Sequence, residues 1–236
     1  MARKILVIGS PGTGKSTSIE NLDPKTTFVI CADRKGLPLK GWKNNYKTIK
    51  KENGKLDLEN TNYYETADTS VIISLLKAIS SSKPETKVIV IDTITAVMEN
   101  EYISRIKEKG YEKFSDIALD TFSLLTAPEE LNLREDLTVV IFAHSEDNYD
   151  SNQVLRTSFK VVGGKLIGQN IIPEARFNNV LYTEVRMEDN TPKYYFLTQN
   201  NGSNTCRTLK DLFTELRIPN DLNYVIQTIE DYENAN

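Results

Sequence analysis

The chain has 236 residues, a formal net charge of −4, 39% hydrophobic and 26% charged residues, one histidine and two cysteines. That suits a single domain, or one with a small appendage, with enough apolar residues for a real core. It excludes a multi-histidine metal site, a disulfide framework and a wholesale basic coat for nucleic acid, though a local basic stripe remains open.

The start, MARKILVIGSPG, runs through a short apolar stretch into glycines and not into a small-residue cleavage site. No export signal is expected, Cys31 and Cys206 are read as reduced structural thiols, and the protein is placed in the cytoplasm. No apolar window is long enough for a membrane helix. Strands are predicted at 4–9, 26–33, 87–93 and 137–144, each a nearly continuous apolar run of the kind buried on both faces of a parallel sheet. Helices are predicted at 15–22, 70–80, 98–109 and 115–133, with 34–66 as an irregular polar crossover. Two alternating strands at 179–187 and 193–199 are joined by the turn EDNTP, and 208–232 carries a last helix or two, broken at IPND. Strand and helix alternate as in an α/β, doubly wound, mostly parallel sheet with antiparallel late strands. With no repeat and no linker, 1–236 reads as one domain, about 208–236 being a C-terminal helical tail.

Gly9, Ser10, Pro11, Gly12, Thr13, Gly14, Lys15 and Ser16 fit G-x-x-x-x-G-K-[ST] at every position, after a strand and before a helix, with Thr17 next. Glycines let backbone N–H groups turn inward around a phosphate, and a helix N-terminus favours its charge. Lys15 reaches the β- and γ-phosphates and the Ser16 hydroxyl holds Mg²⁺, so ATP and Mg²⁺ are the expected ligands. The acid for the metal is Asp92, which ends VIVID at the strand tip where doubly wound sheets bind ligands; a helix-capping role is the plain alternative. The attacking water needs a carboxylate too. Thr93 follows Asp92, so the candidate is Asp33, at the end of the strand after the first helix, with a turn role as its alternative and Glu99 and Glu101 as rivals. His144 ends VVIFAH on the same sheet edge and is read as a polar sensor of the γ-phosphate, against a purely structural role.

The cradle, VIVIDTIT and VVIFAH in this order resemble the RecA-like core of P-loop ATPases, and more closely the compact phage proteins of the Sak-type single-strand annealing group. The resemblance runs over roughly 3–210, and only the cradle and VIVID are specific motifs. It implies a start at the cradle without flanking domains, and a host cytoplasm if phage-encoded. Two departures bear on turnover: Asp33 stands for the expected Glu, and CRT stands near an expected Lys-bearing segment.

The resemblance also implies contact with single-stranded DNA through the loops after the second and third core strands beyond the cradle. The latter is 145–166, whose Arg156, Phe159, Lys160 and Lys165 suit a phosphate track with a stacking platform; a solvated loop or subunit contact is the alternative. The other, 102–114, mixes charges like a solvated helix face. No arginine lies within the core motifs, so a neighbouring subunit of a homo-oligomeric ring or filament is expected to supply a cation: Arg176 or Lys165, then Arg207. Three other functions stay open: an ATPase without DNA contact (a helicase loader or motor subunit), a nucleotide-gated structural component, and a nucleotide kinase. The last would want an arginine-rich lid, and 33–51 has one arginine.

Overall fold

The computed structural model describes residues 1–110, 112–162 and 172–235. From the N-terminus, β1 (Arg3–Ile8) leads through the glycine loop into one 3₁₀ turn (Ser16–Ile19). Next come β2 (Thr27–Cys31), the one-turn helix α1 (Trp42–Asn45), β3 (Tyr63–Glu65) and α2 (Thr69–Ser82). β4 (Val88–Asp92) is followed by α3 (Ile94–Ser104) and α4 (Glu112–Glu130), and β5 (Thr138–Ala143) by β6 (Ser145–Tyr149) and β7 (Leu155–Phe159). A second 3₁₀ turn (Pro173–Arg176), β8 (Asn179–Glu188), β9 (Thr191–Leu197), β10 (Arg217–Pro219) and α5 (Leu222–Asn234) complete the chain.

Eight strands form one sheet in the order β10-β9-β8-β1-β5-β4-β2-β3. From β8 to β3 every pair is parallel, and β9 and β10 are antiparallel. The central strands are apolar throughout because both faces are covered. Leu6, Ile8, Phe28, Ile30, Ile89 and Ile91 face α2, α3 and α4. Their alternates Ile5, Val7, Val29 and Val90 pack with Leu222, Val225 and Ile229 of α5. Short polar side chains start the helices: Asp68 accepts from Val71 N, Thr93 from Ala96 N and Asp221 from Asn223 N. The late hairpin turns on Asp189 and Asn190, both with positive φ (49° and 60°), the pairing a two-residue turn between right-twisted strands favours.

The α/β, mostly parallel architecture with antiparallel late strands is as read, with four local corrections. The helix expected at 15–22 is one 3₁₀ turn, because the Thr17 and Ser18 hydroxyls donate to the Gly14 and Lys15 carbonyls and Pro24 follows closely. The 34–66 crossover contains α1 and ends in the edge strand β3. The 145–166 loop opens as the hairpin β6–β7. The C-terminal tail holds the strand β10 and a single helix, with IPND divided between them.

Candidate nucleotide site at the sheet edge

β1, β2, β4 and β5 run parallel, and the turns at their C-terminal ends carry Gly9, Asp33, Asp92 and His144 to one edge. The cradle is packed tightly there. A Cβ on Gly9 would stand 1.7 Å from Thr183 Oγ1 of β8, so only glycine fits beside that strand. Gly14 has φ +100°, and a Cβ on it would meet Asn220 Oδ1 at 2.9 Å and Tyr194 at 3.0 Å. Thr13 shares a 2.5 Å hydrogen bond with Thr183, and Ser10 one of 2.9 Å with Ser145, which fastens the loop to the strands on either side.

Lys15 is 5% exposed, and its ammonium donates to the carbonyls of Gly9 (2.7 Å) and Ser10 (2.9 Å). Burial pulls its pKa down to about 8, against the opposing pull of Asp92. Ser16 Oγ donates to Asp92 Oδ2 at 2.6 Å. Asp92 is 1% exposed and its Oδ1 has no hydrogen-bond partner. Burial raises its pKa above the ordinary range, with the Ser16 bond and the Asp33 charge acting in opposite senses.

Asp33 pairs with the Lys35 ammonium at 2.5 Å and accepts from the Cys31 thiol at 3.3 Å. Burial works to lower the pKa of Lys35, but the Asp33 bond and the Asp92 charge outweigh it and hold it above its ordinary value. Cys31 and Cys206 are buried free thiols, pushed up by burial to about 11 and about 12. His144 is half-buried, and its backbone N–H donates to Thr95 Oγ1 at 2.9 Å. Burial first, then Lys15, lowers its pKa, so the ring is neutral at pH 7.

Of these groups, Lys15, Ser16 and His144 line a cleft of about 650 Å³, whereas Asp33 and Asp92 are not part of its lining. Lys35, Tyr194 and Asn220 line it as well, and the sequence had not singled them out. Lys35 had one signal, its place two residues after Asp33. Tyr194 and Asn220 had none, because only the tertiary fold brings β9 and the entry to α5 over Gly14.

The candidates at 145–166 are placed differently. Phe159 is 2% exposed and belongs to the main core, so it is no stacking platform; the last residue of β7 turns its side chain inward. Arg156 pairs with Asp150 at 3.1 Å and also donates to the Gly202 carbonyl, while Lys160 pairs with Glu99 at 3.2 Å. The acids come from Asp150 in the turn between β6 and β7 and from Glu99 of α3. Glu101, the other rival acid, faces Arg105 at 3.6 Å. Lys165 lies outside the described residues. Arg207 donates to the carbonyls of Glu174 (2.7 Å) and Phe177 (2.9 Å), a brace within its own chain, whereas Arg176 is exposed with its guanidinium 5.0 Å from the Phe122 ring. Phe159→Ala is therefore a stability variant: it should cost about 3–5 kcal/mol and lower the melting temperature, which thermal unfolding reads directly.

The residues fit a nucleoside triphosphate with Mg²⁺. Lys15 points its charge into a loop of inward backbone groups, the Ser16 hydroxyl lies against a carboxylate, and that carboxylate keeps a buried oxygen without a partner. Among the described residues, no cluster of three or more His, Cys, Asp or Glu could hold a metal. No helix of the described residues is long and apolar enough to cross a membrane.

Among curated proteins, none matches the chain. Among solved structures, it is similar to a KaiC-like protein from the hyperthermophilic archaeon Pyrococcus horikoshii OT3, at 16% identity over 83% of this chain and 77% of that one, with a TM-score of 0.42. A family described as an AAA domain matches residues 1–208, most of the chain. The protein belongs to that AAA domain family of P-loop ATPases.

Proposed function

We propose that the protein is a Mg²⁺-dependent ATPase that hydrolyses ATP to ADP and phosphate, works as a homo-oligomeric ring or filament, and acts on single-stranded DNA in phage recombination, annealing or replication. One observation carries the nucleotide part: Ser16 is bonded to a buried, half-satisfied Asp92 beside the buried Lys15. Lys15 exchanges the Gly9 and Ser10 carbonyls for phosphate oxygens, a stronger partner for a cation. When bound, Mg²⁺ supplies charge neutralisation on the phosphates, with Ser16 and Asp92 as its protein side. Neutral His144 donates or accepts one hydrogen bond at the cleft wall as the phosphate charge changes.

Asp33 orients the water, and to do so it must leave Lys35. Asp33→Asn should therefore keep nucleotide affinity while kcat falls about 100-fold or more, because a positioned base acts in the transition state. Phosphate release at saturating ATP, with and without a single strand, reads both parts of the proposal. If affinity falls while kcat holds, Asp33 belongs to binding, and Glu99 or Glu101 takes over the water. If no strand stimulates release, the protein is an ATPase without DNA contact. The Asp33–Lys35 pair also favours a second reading, a nucleotide-gated component with negligible turnover, which the same assay distinguishes by its absolute rate.

A further inference from the structure

Between Asp33 and Lys55 the chain carries eight basic and two acidic side chains, although the whole protein is net −4. Lys40, Lys43, Lys47, Lys50, Lys51 and Lys55 make no ion pair among the described residues, whereas Arg156 and Lys160 are both paired. Like charges left this close without counter-charges repel one another, and an anionic ligand would relieve that repulsion.

Three of these lysines lie at a second groove, of about 550 Å³, at the open edge of the sheet beside β3. Lys43, Lys47 and Lys50 line it together with Trp42 and Tyr64, and among the described residues the lining has a single carboxylate, Glu65, which accepts from the Tyr63 hydroxyl. Its floor is fixed. Trp42 packs on Tyr63 with ring centroids 4.8 Å apart, and Lys43 Nζ lies 5.7 Å from the Trp42 ring. The Lys47 carbonyl accepts from Asn62 N (3.1 Å) and Tyr63 N (3.2 Å), and Thr48 Oγ1 donates to the Tyr63 carbonyl. Backbone bonds thus pin the segment along β3 while its ammonium groups stay in solvent.

We propose that this groove, and not the β6–β7 hairpin, is the protein's contact for single-stranded nucleic acid. The inference rests on the strand-binding part of the reading above and supplies its site. Phosphodiesters meet Lys43, Lys47 and Lys50, and bases lie along the half-exposed aromatic edge of Trp42 and Tyr64. An acidic protein segment would match the charge alone; the aromatic lining favours a strand, because every base has a face to stack and a carboxylate has none. The same crossover begins at the nucleotide cleft, where Lys35 and Pro38 form part of the wall, so the groove and the cleft share one continuous segment.

Trp42 is the chain's one tryptophan, so its fluorescence reports on this groove. With the full chain, a thymidine oligonucleotide should quench it, in a manner that weakens with salt and ignores base order. The triple variant Lys43→Ala/Lys47→Ala/Lys50→Ala should bind the strand about tenfold more weakly or worse. Its log–log salt slope should be shallower by about 2, at roughly 0.7 per lost phosphate contact. Arg156→Ala/Lys160→Ala should retain parental quenching and affinity. If the parent binds and the triple variant binds equally well, the groove assignment is overturned while the strand reading stands. If the parent binds no strand with or without ATP, both fall. If polyglutamate quenches Trp42 as strongly as the oligonucleotide, the groove is a protein-docking site and the proposal is overturned. Circular dichroism of the triple variant separates lost contact from lost folding, since all three side chains are exposed.

Discussion

Lys15→Ala should lower ATP affinity by about two orders of magnitude and take turnover below detection. The ammonium is the charge-assisted donor at the cradle, and a contact of that kind contributes roughly 3 kcal/mol. The fold should survive, because the side chain reaches back only to two carbonyls of its own loop. A second signature separates this loss from misfolding. Folding holds Lys15 near a pKa of about 8, well below its ordinary value, which costs the nucleotide-free protein roughly 3 kcal/mol while the group stays charged. Between pH 8 and the ordinary lysine value the unfolded chain binds the extra proton, so parental stability should rise with pH in that window and lie level at its lower value beneath it. The variant should lack this rise. Denaturant titrations at pH 7 and pH 10, alongside nucleotide binding, test both statements. Unchanged turnover in the variant would sink the nucleotide assignment.

Arg176→Ala should lower kcat about 1,000-fold with ATP affinity retained, the scale on which a finger arginine acts. Among the three cations proposed for this role, Arg207 is occupied by carbonyls and Lys165 lies outside the described residues. Arg176 is exposed, and among the described residues its contact is the Phe122 face, an interaction of about 1 kcal/mol that a phosphate can outcompete. If the finger acts in trans, mixing Arg176→Ala with Lys15→Ala subunits creates interfaces with an intact cradle on one side and an intact arginine on the other. Some activity should return, peaking at intermediate ratios. No rescue at any ratio rules out action across an interface, and full activity of Arg176→Ala alone removes this residue from the reaction.

The sheet was legible where both its faces are covered. β1, β2, β4 and β5 need apolar side chains in both directions, so Ile5–Ile8 and Val88–Ile91 stand out without any partner in view. β3 and β10 were not legible. Each has three residues, and each is defined by pairing with a distant strand and not by its own pattern. β6 reads SEDNY and lies mostly in solvent, so it carries no alternating core signal. In the site, the cradle and Asp92 could be read because phosphate chemistry dictates residue type and spacing. Tyr194 and Asn220 could not, since nothing local marks a side chain that crosses the fold to meet Gly14. Phe159 misled because its neighbours Arg156 and Lys160 are basic, while the strand's twofold alternation turns only the phenyl ring inward.

β1 lies between β5 and β8, pairing with Thr138–Ala143 on one side and Asn179–Tyr182 on the other. Its apolar residues are made well over a hundred residues before either partner strand exists. At about 5–20 residues per second, the strand that leads into the cradle waits on the order of ten to thirty seconds with its edges and both faces uncovered. The closing contacts span well over a hundred residues, which makes the pairing slow even once the chain is complete. Nascent β1 is therefore the segment on which a holding chaperone would act during synthesis. Newly made protein should gain its nucleotide cradle only after β8 has emerged.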